Sequence, residues 1–196
     1  MARQIIEKKR RKLNRRNMKS ILITCSLLLS FHVIIAQKYI SEKSEVVFFS
    51  EAPMENIEAH NKNATSVFDA SSGEIVFSVP IKSFQFEKSL MQEHFNENYM
   101  ESDKFPKSTF KGKVSGFQNK EGIQKVSAEG SLLIHGVTKN VKVTGDMQVK
   151  EGKIFLNAKF PVSVAEYDIK IPKIVFYNIA EVVDVTLNFQ YKPYEK

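Results

Sequence analysis

From Glu74 to Tyr191 most of the chain alternates apolar and polar side chains with a period of two. Ile75, Phe77, Val79 and Ile81 fall on one face of a run whose other face is Glu74, Val76, Ser78 and Pro80. The same pattern sets Phe110, Gly112, Val114 and Gly116 against Lys111, Lys113 and Ser115, and places Val126, Ala128, Gly130, Leu132 and Ile134 together. Val141, Val143, Gly145, Met147 and Val149 form a further face, as do Ile154, Leu156, Ala158, Phe160 and Val162, and Val183, Val185, Leu187, Phe189 and Tyr191. One apolar face per run is the pattern of half-buried antiparallel strands.

Less regular runs precede these. Residues 37–49 read as a first strand with Val46 and Phe48 on one side; Ile57–His60 reads as a short one, and Val67–Asp69 leads into a Ser-Ser-Gly turn. Ser50–Asn56, with Pro53, reads as a turn, and Asn61–Ala64 as a polar loop. Pro80 has no N–H for a ladder and predicts a bend, with Ser83–Phe86 continuing the strand beyond it. Turns are expected at Asn119–Gly122, at His135-Gly136 and at Glu151-Gly152. About eight antiparallel runs without crossover segments suit a closed or nearly closed all-β barrel, because closure removes sheet edges.

One stretch breaks the period of two. In Leu90–Phe110, Met91, Phe95 and Tyr99 recur every four residues with Leu90 and His94 beside them, while Glu93, Glu97 and Glu101 gather opposite. This predicts one short amphipathic helix covering part of the barrel. Ser89 is expected to cap it, with Gln92 closing a capping box. Phe105-Pro106 is expected to stop it, since proline drives its predecessor into extended backbone.

Charge changes the picture only in the leader. The chain carries a formal net charge of +7, which suggests nucleic acid until its location is considered. Nine of the 29 basic residues and one of the 22 acids precede residue 37, leaving 20 basic and 21 acidic side chains thereafter. A near-neutral domain has no electrostatic footprint for phosphate backbones, so no nucleic-acid partner is expected.

The basic start is followed by Ile21–Ala36, sixteen residues without a charged side chain. This reads as a secretory signal, residues 1–36, cleaved between Ala36 and Gln37, with Met18 as an alternative start. A retained anchor is the rival, but a spanning helix needs roughly 20 residues. The expected address is periplasmic or otherwise exported. Cys25 is the only cysteine and lies inside the apolar run, so residues 37–196 hold no disulfide or thiolate.

Two long motifs carry a family resemblance: Ser102–Phe110, with its Phe-Pro, following the helix, and Gly130-Ser131-Leu132-Leu133-Ile134-His135-Gly136-Val137-Thr138-Lys139. In this order they resemble the YceI-like family of exported lipid-binding proteins, and the similarity runs over residues 38–192. The resemblance implies a lipocalin-like barrel domain at 37–196, holding a long apolar ligand such as a polyisoprenoid, an isoprenoid quinone or a similar lipid for storage or transport. It also admits transient membrane contact for loading and a homodimer. The first two strands depart from the family pattern, and no Trp is present, so the Gly-x-Trp signature of true lipocalins is missing.

Twelve apolar residues are candidates for lining a ligand site: Phe77, Phe84, Phe86, Leu90, Met91, Phe95, Tyr99, Phe110, Leu132, Ile134, Val143 and Phe160. The simpler reading for most of them is core. The alternative is that small inward residues, Gly112, Ala128, Gly130, Gly145 and Ala158, leave a tunnel which the larger ones line. A filled barrel serving as a periplasmic stress or interaction module is the rival function.

Reactive chemistry is sparse. His60, His94 and His135 lack partners at metal-ligand spacing, so no metal or other cofactor is expected. A hydrogen bond that steadies its turn suits His135 better than catalysis. Ser66, Ser89 and Ser131 have no nucleophile-elbow context, and the Glu93/Glu97 pair reads as a solvated helix face. An enzyme would require Glu93, His94 or His135 to converge beside the ligand, and none is expected to be catalytic.

Overall fold

The computed structural model describes residues 38–51, 56–171 and 180–194. The expected signal segment and most of the Pro53 turn lie outside the described residues. Among the described residues there are ten strands: β1 (Lys38–Ser50), β2 (Ile57–Asn61), β3 (Thr65–Asp69), β4 (Glu74–Pro80), β5 (Gln85–Phe86), β6 (Lys107–Ser115), β7 (Gly122–Ile134), β8 (Val137–Lys150), β9 (Lys153–Ser163) and β10 (Val182–Pro193). Eight of them, β1, β3, β4, β6, β7, β8, β9 and β10, close into an antiparallel barrel through the β1–β10 pairing.

The closure is made by one long strand serving several neighbours. β1 pairs along most of its length with β10, while its other edge pairs first with β3 at Lys38–Ile40 and then with β2 at Val46–Ser50. β2 in turn pairs with β5, so these two short strands extend the wall beyond the eight. Asn61 joins the two branches: fully buried, it donates from Nδ2 to the Pro80 carbonyl at 2.7 Å.

The longest pairing is the β7–β8 hairpin, from Gly122↔Val149 to Ile134↔Val137. Its turn uses His135 at φ 48 and Gly136 at φ 78, the paired left-handed conformation that matches the twist of the flanking strands. Glu151 and Gly152 repeat this arrangement between β8 and β9.

Three local expectations are corrected. Ser83–Phe86 does not continue β4: Ile81–Ser83 is a 3₁₀ turn, and β5 moves across to β2. Ser89 does not cap the helix. The capping position is Lys88, without a side-chain cap, and Ser89 is the first residue of helix α1 (Ser89–His94). The Gln92 side chain instead accepts from the Phe86 N–H at 3.3 Å, tying the helix to β5.

Nor does Phe105-Pro106 stop the helix. α1 runs into a π-helical turn, Phe95–Tyr99, and ends at Glu101, whose φ of 42 is left-handed. The Ser102 N–H reaches back to the Asn96 carbonyl at 2.8 Å and closes the end, one residue wider than a Schellman cap because the last turn is π-helical.

Gly112 and Gly130 face each other across β6 and β7. A Cβ on Gly130 would strike the Lys111 carbonyl and the Gly112 Cα; one on Gly112 would lie 2.5 Å from the Phe110 ring. They are spent on close strand approach and do not widen the lumen as expected. Ala128 and Ala158 do border open space, as does Gly145, although a Cβ there would also meet the Asn157 carbonyl at 2.5 Å.

Candidate functional site

The lumen divides into a filled half and a hollow half. At the end formed by the start of β1 and the end of β10, Phe68, Met147, Ile154 and Tyr191 are fully buried, and Ile75, nearly as buried, marks the boundary where the cavity begins. Phe117 closes over Phe68 edge-on, ring centroids 5.0 Å apart. The Tyr191 hydroxyl, also buried, donates to Ser66 Oγ at 2.8 Å, which donates to the Val76 carbonyl at 2.8 Å. Burial pushes the Tyr191 phenol well above its ordinary value, with the Ser66 hydrogen bond acting weakly the other way.

The opposite half holds a cavity of about 450 Å³. Ala128, Gly145 and Ala158 keep its walls thin, and β-branched and aromatic side chains from all the long strands line it. Pairing of β8 with β9 stops at Gly145↔Ala158, so Val137–Thr144 and Lys159–Ser163 diverge and the mouth flares. The expected tunnel is therefore a blind cavity.

Its floor is a contact across the lumen. Phe77 on β4 lines the cavity, and its ring meets Phe189 on β10 edge-on at 5.0 Å. Phe189 lies behind it, buried, and stacks at 6.1 Å on Tyr191. The geometry suits the ring quadrupole and adds to simple burial.

The roof over part of the mouth is α1 and its π-turn. Phe95 is the hub, with ring centroids 4.9 Å from Phe86, 5.5 Å from Phe84 and 6.0 Å from Phe48. Met91 and Tyr99 face the cavity on either side of it, and Leu90 borders the rim while remaining 59% exposed. Desolvation raises the Tyr99 phenol pKa. Glu93 and Glu97 are exposed, as the amphipathic pattern requires.

The far end of this roof is bolted to the β7–β8 turn. His135 Nε2 lies 2.9 Å from Glu101 Oε2, and its Nδ1 lies 3.1 Å from the Tyr167 carbonyl. Both partners are acceptors, so the tautomer decides which ring nitrogen donates. Phe105 packs edge-on against the His135 ring at 4.5 Å, and a Cβ on Gly136 would collide with Phe105.

All twelve candidate residues border this one cavity: Phe77 at its floor, Phe84, Phe86, Leu90, Met91, Phe95 and Tyr99 around the roof, and Phe110, Leu132, Ile134, Val143 and Phe160 on the wall. Sequence reasoning left out Phe48, Ile57, Val185 and Leu187, which also line it. The signal for Phe48, Val185 and Leu187 was the inward parity of β1 and β10, whereas Ile57 lies on the short β2.

Among the described residues, no lysine, arginine, aspartate or glutamate borders the cavity. His94 alone of the three histidines reaches it, at the exposed rim; His60 sits on the outer surface between Glu45 and Glu58. Within the same described set, no three His, Cys, Asp or Glu side chains converge as a metal set.

A closed eight-stranded barrel under a short helix, with an apolar lumen bordered by no Lys, Arg, Asp or Glu among the described residues, defines a lipocalin-like architecture. The YceI-like domain model matches residues 39–191, and the chain belongs to that family. Solved structures agree on the fold. A polyisoprenoid-binding domain from Saccharophagus degradans, implicated in plant cell wall breakdown, is 14% identical with a TM-score of 0.69, the match covering 80% of this chain and 98% of that one. BcnA of Burkholderia cenocepacia is 16% identical with a TM-score of 0.65, covering 75% and 95%. The Campylobacter jejuni YCEI protein is 19% identical with a TM-score of 0.57, covering 74% and 90%. Comparison with curated proteins gives no match.

Proposed function

We propose that this protein is an exported, non-enzymatic carrier or store that holds a long apolar ligand, a polyisoprenoid, isoprenoid quinone or similar lipid, in the barrel. One observation carries the reading: a cavity of about 450 Å³ bordered by no charged side chain among the described residues. That volume falls in the range of small-molecule sites, roughly 300–1,000 Å³.

Apolar hollows are poorly wetted, and an apolar chain is the natural filler. Each buried methylene contributes about 0.8 kcal/mol, from which chain ordering subtracts part. The likeness to a polyisoprenoid-binding domain supports the same class of ligand. The leader composition supports export to the periplasm. A barrel filled throughout, as an interaction module needs no ligand, is disfavoured by the hollow upper half.

The test is titration of delipidated protein with an isoprenoid quinone, followed by displacement of a fluorescent polyene fatty acid. Saturable one-to-one displacement is expected. No displacement by any isoprenoid or fatty alcohol would remove the reading.

A further inference from the structure

We propose that Phe189, acting through Phe77, sets the length of apolar chain that the cavity can bury. This rests on the ligand-holding reading above and adds its size selectivity. Phe77 is the last ring on the cavity side, and Phe189 is the first side chain of the filled half, 5.0 Å away and edge-on. The two come from β4 and β10, three strands apart around the wall, so together they close the lumen from side to side.

Nothing behind Phe189 yields easily. Tyr191 stacks on it and is anchored through its hydroxyl to Ser66, and Met147 is fully buried nearby, whereas Leu156, directly paired to Phe189, borders the cavity. A chain entering at the helix end therefore ends in the space bordered by Phe77, Ile75 and Leu156, in front of Phe189. Any further length stays at the mouth, where it gains little from burial. Affinity should rise with chain length up to a break and then level off.

Shortening Phe189 moves that break, because the space its ring vacates adjoins the cavity directly behind Phe77. The experiment uses delipidated protein and linear primary alcohols of increasing length, competing with a fluorescent polyene fatty acid. For the wild type, binding tightens by up to about fourfold per added methylene before the break.

In Phe189→Ala the break moves to longer chains, and an alcohol just past the wild-type break gains about tenfold relative to one before it. Phe189→Leu moves it the same way by less and keeps the core better filled. Ala128→Leu, which adds bulk to the hollow half beside Val114 and Val143, moves it to shorter chains. A break that stays at the wild-type length in the folded variants overturns the proposal while leaving ligand holding intact. Rising affinity without a break in the wild type also overturns it. A wild type that binds no alcohol of any length overturns the ligand-holding reading and this proposal with it.

Discussion

Glu101 and His135 meet at 2.9 Å, although 34 residues separate them in the chain. Glu101 holds the left-handed position that ends the helix; His135 holds the first left-handed position of the β7–β8 turn. The bond joins the roof over the mouth to the longest hairpin in the wall. The His135 side chain is nearly buried there, whereas Glu101 stays partly exposed.

His135→Ala should loosen the helix without unfolding the barrel. Losing both ring hydrogen bonds and the Phe105 contact costs about 1–3 kcal/mol. Amide exchange in 89–102 should speed up well beyond the change in β7 and β8. Equal acceleration everywhere would show that the residue supports the whole domain and not the roof.

Phe95→Ala removes the ring on which Phe48, Phe84 and Phe86 converge. A loss of about 2–4 kcal/mol in stability is expected from a partly buried aromatic hub. Ligand affinity should fall by about tenfold or more, since the roof loses its main apolar contact. Chemical denaturation and ligand titration on the same sample separate the two effects.

The buried Tyr191 phenol makes stability depend on alkaline pH. Its folded pKa is raised by burial above the unfolded value of about 10, so the unfolded chain gives up the proton first. The contribution is complete below about pH 10 and declines as pH rises from there towards the folded pKa. Tyr191→Phe should flatten that alkaline slope. At neutral pH it should cost only about 1 kcal/mol, the net worth of the hydrogen bond to Ser66.

Gly130→Ala should be among the most damaging single substitutions. Its Cβ would strike the Lys111 carbonyl and the Gly112 Cα, backbone atoms that can retreat only if β6 and β7 separate. A loss of about 2–4 kcal/mol is expected. Gly152→Ala, where nothing lies within 4 Å of the added Cβ, has only the positive φ to oppose it and should cost less. Thermal melts of the pair decide the matter.

The long strands were legible because each buries one face, and a period of two records this directly. Val126–Ile134 and Val183–Tyr191 show it plainly. The helix was legible from Met91, Phe95 and Tyr99, but its ends were not. Ser89 and Pro106 offered stronger local signals than Lys88 and Glu101, and tertiary contacts to β5 and to His135 prevailed. β2 and β5 are too short to show a period, and their pairing depends on β1 having a free edge beyond β3.

The cavity was half legible. Inward parity marked its wall, but a small inward residue can mean open space, as at Ala158, or close backbone approach, as at Gly130. Only the positions of neighbouring strands distinguish them. The filled far half was hidden for a related reason: Phe77 and Phe189 belong to equally apolar faces, and their contact across the lumen has no counterpart in either local pattern.

The most direct test of the central claim is the mass of material carried by protein purified without detergent or solvent. The intact complex is weighed under non-denaturing ionisation, then extracted, and the extract is identified. The expected result is a single added mass per chain that disappears on denaturation and is recovered as an apolar isoprenoid or related lipid. Native and denatured masses that agree, with no lipid in the extract and no uptake of added isoprenoid quinone, would contradict the account.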